Sequence, residues 1–157
     1  MEGITGEVRW FVGSRPPRGW AFCKGQVLGR VAYASLYEEI GHKFGGDGKT
    51  HFQLPDLANP LDSVSATYII CISGMSPRND MQWHLGEITL FAGKTKPKAK
   101  LACHGQRLDV DDYMPLFSVI GHRFGGEENA FCLPDLTGKQ PHAEIQYWMN
   151  VSGEFPI

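Results

Sequence analysis

The sequence has little of what marks several common protein classes. Its four cysteines, Cys23, Cys71, Cys103 and Cys132, include no Cys-x-x-Cys pair, which removes the usual spacing of zinc ribbons and thioredoxin-like redox sites. No apolar run approaches the ~18 residues of a membrane-spanning helix. The N-terminus has no basic-then-apolar leader, so synthesis in a cytoplasm is expected. Without secretion, a disulfide framework is not expected, and the cysteines read as small buried hydrophobes. Net charge is −2, and the one basic run is Lys94, Lys96, Lys98 and Lys100. Nucleic-acid binding wants a wider basic face, so these lysines read as a solvated edge strand or loop protected from aggregation. No Lys-Ser or Lys-Thr follows either Gly-Gly pair, which removes a phosphate loop. No serine or cysteine lies in a nucleophile elbow. Neither cofactor nor nucleic acid nor membrane insertion is implied.

What is present is a duplication. Ile40-Gly41-His42-Lys43-Phe44-Gly45-Gly46 leads to Phe52-Gln53-Leu54-Pro55-Asp56-Leu57, and Ile120-Gly121-His122-Arg123-Phe124-Gly125-Gly126 leads to Phe131-Cys132-Leu133-Pro134-Asp135-Leu136. The match extends to Gly6-Glu7 with Gly86-Glu87, and to Cys23-Lys24-Gly25-Gln26 with Cys103-His104-Gly105-Gln106. Leu36 and Tyr37 likewise meet Leu116 and Phe117, and Tyr68 meets Tyr147 after one residue is lost from the second copy. A period this long exceeds the ~20–50 residues of solenoid units. Each copy reads as a small domain that is marginal alone, or as half of a pseudo-symmetric one. Two lobes, 1–80 and 81–157, sharing a substantial interface are expected.

Within each copy, Glu7 to Val12 and Glu87 to Ala92 are β-branched and aromatic, as strands are. Trp20 to Cys23 and Lys100 to Cys103 form the second strands. Tyr33, Leu36, Tyr37 and Ile40 have helical spacing, as do Tyr113, Leu116, Phe117 and Ile120. Asp111 or Asp112 is expected to cap the second helix, with Pro115 in its first turn. Gly41 and Gly121 are expected at left-handed C-caps. Phe-x-Leu-Pro-Asp-Leu is extended up to its proline, and strands at Thr67 to Ile72 and Ile145 to Val151 close the copies. The fold class is α+β: two tandem pseudo-symmetric repeats, each with a few short strands, one short helix and long Gly/Pro-rich loops.

The ordered set Gly6-Glu7, Pro17 to Gln26 with Trp20, Leu36 to Gly48 and Phe52 to Leu57 resembles the phage tail collar domain family. The closing Tyr68 to Pro77 is similar to the end of collar-type microcystin-dependent proteins. Copy two departs from the pattern where Leu101 replaces the tryptophan and where the Asp-Gly turn is missing. Only Ala58 to Ser65 stands where relatives carry a long insertion. The resemblance implies a non-enzymatic virion protein of a phage tail or tail fibre, a collar or adaptor module that touches other tail proteins. It also implies a homo-oligomer, with a trimer favoured, made in the host cytoplasm. Its motif residues in structural or assembly roles would be Trp20, Cys23, Gly25, Gln26, Gly41, His42, Phe44, Gly45, Gly46, Pro55 and Asp56, then Cys103, Gly105, Gln106, Gly121, His122, Phe124, Gly125, Gly126, Pro134 and Asp135.

His42 and His122 recur and would either join a metal site across a symmetry axis or sit favourably on a helix C-terminal dipole. The dipole reading needs no further ligand. Asp56 and Asp135 follow proline and are expected to hold turns through backbone N–H groups. Trp10, Trp20, Trp83 and Trp148 exceed what two small cores need. Core and subunit packing accounts for most of them, and the alternative is a face that stacks a host-surface carbohydrate for receptor binding.

Overall fold

The structure, a computed structural model, describes residues 1–59, 66–79 and 83–156. The expected boundary at 80/81 and most of the short connection before the last strand of copy one lie outside the described residues. The first copy holds β1 (Glu7–Phe11), β2 (Trp20–Phe22), β3 (Val27–Gly29), α1 (Ala34–Ile40), β4 (His51–Gln53) and β5 (Thr67–Cys71). The second holds β6 (Ile88–Phe91), β7 (Lys100–Ala102), β8 (Arg107–Asp109), α2 (Met114–Ile120), β9 (Gly126–Glu127), β10 (Ala130–Cys132) and β11 (Gln146–Asn150). The chain is thus mostly sheet with two short helices. The short strands β3 and β8 were not anticipated. They pair with β4 and β10, so the Phe-x-Leu segment is one arm of a ribbon. The tip of the second copy carries β9 paired with β10.

One six-stranded sheet runs through both copies in the order β2-β5-β1-β6-β11-β7. The order is a palindrome of equivalent strands, and the copies meet at antiparallel β1 and β6, with Glu7 opposite Phe91 and Val8 opposite Leu90. Alternation sends Val8, Tyr68, Ile70 and Leu90 to one face, where α1 adds Leu36 and Ile40 to form a core. Met149 joins Leu116, Ile120, Phe131 and Leu133 in the corresponding core of copy two. The opposite face bears two smaller clusters, one around Trp20, Ile69 and Cys71 and one around Trp83, Phe91 and Ile4. Trp20 and Trp83 are therefore core residues, and of the four tryptophans only Trp10 is exposed.

Both helices have seven residues, and neither starts on a side-chain cap: the capping positions are Tyr33 and Tyr113. Asp111 and Asp112 precede the helix in the turn, too early to bond its first amides, so the expected aspartate cap is corrected. Pro115 does lie in the first turn. Gly41 and Gly121 have φ of 55° and 57°, but ψ near −143° and −146° leads the chain away from the left-handed helical region.

The lysine run is also corrected at its last member. Lys100 is 2% exposed. The strand registers explain this, because Trp20 lies opposite Cys71 while Lys100 lies opposite Asn150. Lys100, rather than Leu101, occupies the tryptophan position of copy two. Its ammonium donates to the Asn150 side-chain oxygen and to Thr89 Oγ1 at 3.2 Å, and lies 3.9 Å over the Trp83 ring. In copy one, Gly3 makes room for the Trp20 ring. In copy two, Trp83 supplies the aromatic bulk and the lysine lies against it. Burial lowers the Lys100 pKa to about 8 against the pull of Glu7 and Glu87. Lys100→Ala should cost about 2–3 kcal/mol in urea unfolding, because it strands the buried Asn150 oxygen and opens a void beside Trp83. Stability within 0.5 kcal/mol of the parent would refute that bonding.

A second contact between the copies went unnoticed in the sequence. Buried Glu39 on α1 accepts the Thr95 amide at 3.1 Å and its hydroxyl at 2.7 Å, and its carbonyl takes the Lys94 amide. Val119 holds the equivalent place in copy two, so this clasp acts in one direction only. Hydrogen bonds to a charged acceptor are worth about 1.5–3 kcal/mol. Glu39→Ala should therefore destabilise the chain by about 2 kcal/mol, with Thr95 amide exchange accelerating more than that of residues in α2. Unchanged Thr95 exchange would show that the clasp does not hold the copies together.

Candidate functional site: the doubled glycine motif

The repeated motif folds back on itself the same way in both copies. Gly25, at φ 73°, donates its amide to Pro55 O, and Gly105, at φ 72°, donates to Pro134 O. An added Cβ would crowd Asp56 at 3.3 Å and Asp135 at 3.1 Å. Gln26 and Gln106 receive the amides of Lys24 and His104 on their side-chain oxygens, each at 3.0 Å, while their main-chain carbonyls take Leu54 N and Leu133 N. Cys23 O and Cys103 O accept from Leu57 N and Leu136 N. The Cys-x-Gly-Gln and Leu-Pro-Asp-Leu halves are thus two sides of one clamp. Asp135 accepts the Thr137 amide at 3.0 Å, as the turn reading requires, and Thr137's hydroxyl and amide hold its carboxyl below the usual range. Asp56 sits in the equivalent bridge to Lys24. The two aspartates belong to separate clamps.

Beyond each helix, the second glycine of the Gly-Gly pair passes so closely over the next strand that a side chain is excluded there. Gly45 and Gly125 donate their amides to His42 O and His122 O, and their carbonyls take Gln53 N and Cys132 N. At Gly46 and Gly126, a Cβ would lie 2.6 Å from the α-carbons of Phe52 and Phe131. The tips then diverge. Asp47 gathers the amides of Lys49, Thr50 and His51, which drives its carboxyl far below the ordinary carboxylate range. Copy two instead uses an exposed Arg107–Glu127 pair at 2.7 Å.

The histidines also divide. His122 Nε2 lies 2.7 Å from Glu127 O and 3.2 Å from Ala130 O, so it carries a proton and ties down the tip. Its ring stands edge-on to Phe117 at 4.9 Å. His42 packs beside Gly48 and lines an open hollow with Arg30, Tyr37, Lys43 and Lys94. Among the described residues, no group of three or more His, Cys, Asp or Glu side chains could hold a metal. Phe44 stacks edge-on with His142 at 5.0 Å, whereas Phe124 is exposed. Cys23, Cys71 and Cys103 are buried, but Cys132 is only half-buried, a correction to the expectation for all four.

A clamp and a glycine-bound tip are thus each built twice. The phage tail collar domain model matches residues 6–60 and again 86–141, more than half of the chain. The chain belongs to the phage tail collar domain family. This collar protein therefore has a structural role in a phage tail, in association with other tail proteins. Neither a curated protein nor a solved structure matches it. The family segments contain both clamps and both tips, while β5, β11 and the buried Lys100–Asn150 pairing partner at Asn150 fall outside the matched spans. No helix among the described residues is long and apolar enough to cross a membrane.

Proposed function

We propose that this chain is a non-enzymatic collar or adaptor module of a phage tail or tail fibre, made in the host cytoplasm and built into the virion. Its units are the two repeats, 1–80 and 81–157, whose motif residues fix each frame while loops and exposed side chains meet neighbouring tail proteins. One observation carries the reading: in both copies the motif's glycine and glutamine positions are taken up in the same internal bonds. A framework of that kind supports assembly rather than turnover. The assembly is a homo-oligomer, and a trimer would present six similar lobes.

Two measurements test this. Gold-labelled antibody should mark the tail of the particle in electron micrographs, and labelling confined to the capsid or absent from particles would defeat the tail assignment. Light scattering should give a trimer that survives chelation. A monomer with and without chelator would defeat the oligomer, and dissociation by chelator would revive a metal held by His42 and His122. Exposed Trp10 supports a second reading, recognition of a host-surface carbohydrate, which a glycan array without any hit would remove.

A further inference from the structure

The seam between the two repeats is only half closed. The ladder joining β1 to β6 stops at Val8 and Leu90. Which groups come next follows from the neighbouring strands. Gly6 O accepts from Ala92 N across the seam, while Cys71 O of β5 takes Gly6 N, and Glu87 O of β6 takes Asn150 N of β11. Alternation then turns the main-chain groups of Glu7, Arg9 and Phe11 toward β5, and those of Glu87, Thr89 and Phe91 toward β11. Trp10 and Ile88 are left with their N–H and C=O groups facing the seam, yet they are not joined to each other.

Neither wall is frayed. β1 stays paired with β5 through Phe11, opposite Thr67, and β6 stays paired with β11 through Ile88, opposite Met149. Between them lies a cleft of about 370 Å³, lined by Arg9 and Trp10 on one side, Ile88 and Thr89 on the other, and Tyr147. Trp10 and Ile88 point to the helix-bearing face and are 54% and 40% exposed. Arg9 and Thr89 point to the other face.

We propose that this cleft receives an extended segment of a partner polypeptide, which continues the inter-repeat ladder as an inserted strand. The occupant follows from the groups on offer. Two facing donor–acceptor pairs on fixed strands match the main chain of a third strand, which bonds to one neighbour and then the other at successive residues. The residue on the helix-bearing side is apolar, to cover Trp10 and Ile88, and the next is polar, to lie by Arg9 and Thr89. The site is continuous with the interface that already joins the repeats. It depends on strand geometry and would stand even if the protein were absent from the tail.

The test is selection of random nine-residue peptides from a ribosome-display library against the full chain, followed by amide exchange with an enriched peptide. Enriched sequences should alternate apolar and polar residues and slow exchange of the Trp10 and Ile88 amides at least ten-fold. N-methylation of the peptide's two central amides should weaken binding at least ten-fold. Trp10→Pro, which deletes an N–H that the sheet does not use, should weaken binding at least ten-fold more than Trp10→Ala. Trp10 and Ile88 amides as protected in the free chain as Val8 would overturn the proposal. So would a selection that yields no binder, or binders indifferent to N-methylation or leaving both amides unprotected. Protection of these amides by an array saccharide, with no peptide enriched, would assign the cleft to carbohydrate instead.

Discussion

Raising the pH from 9 to 11 under reducing conditions should strip the protein of about 4 kcal/mol of stability, a large share of the ~5–15 kcal/mol that holds a typical domain folded. The cause is three thiols sealed in the cores. Burial pushes Cys23 up to about 12, from an ordinary value of 9.0, and it raises Cys71 and Cys103 to about 11. In the unfolded chain these thiols ionise near pH 9, while the native fold keeps them protonated. Their contribution is therefore fully present below pH 9 and is lost as pH rises toward 11 and 12. At about 1.4 kcal/mol per unit, Cys23 alone accounts for about 2 kcal/mol between pH 9 and 11. Cys71 and Cys103 each add about 2 kcal/mol, and an opposing gain of about 2 kcal/mol from Lys100 leaves the net near 4.

Lys100 works in the other direction. Its pKa is lowered to about 8 from 10.5, so the unfolded state binds the extra proton and stability gains between those values. Urea midpoints should therefore hold or rise slightly from pH 8 to 9, then fall steeply. In Cys23→Ala the drop between pH 9 and 11 should shrink by about 2 kcal/mol, whatever that variant's stability at pH 7. An unchanged drop would mean that Cys23 is not the thiol responsible.

Gly46→Ala and Gly126→Ala should each cost more than about 4 kcal/mol, or prevent folding. At φ of 97° and 123° both residues occupy backbone space that is essentially glycine's own. A methyl group would also overlap the α-carbon of Phe52 or Phe131, and backbone, unlike a side chain, has no alternative rotamer to adopt. Gly41→Ala is the control. It too has positive φ, at 55°, but nothing lies within 4 Å of its added methyl, so only the local backbone strain of about 1–3 kcal/mol applies. Thermal unfolding of the three variants decides the matter. Similar losses in all of them would show that the close crossing at the tip is not what requires glycine.

The duplication was legible from the sequence, as were the two helices, the first, second and last strand of each copy and the family. These rest on local patterns. Periodicity places Leu36 and Ile40 on one helix face, and glycine and proline mark chain reversals wherever they occur. The glycine pairs, which the chain states twice, have backbone needs that are local in the same way.

What pairs with what was decided by the tertiary structure. Nothing adjacent in sequence tells Lys100 that it will face Asn150 under Trp83, since three short strands must first assemble before those residues meet. Read locally it looks like the end of a solvated lysine run, and only the β7–β11 register reveals it as the heir of Trp20's position. Glu39 is likewise an ordinary helix residue until β6 carries the Thr95 loop across to it. The open seam at Trp10 and Ile88 belongs to the same class: both residues read as strand, and strand they are. Whether two strands zip along their whole length depends on how the outer neighbours hold them, and that is a property of the assembled sheet.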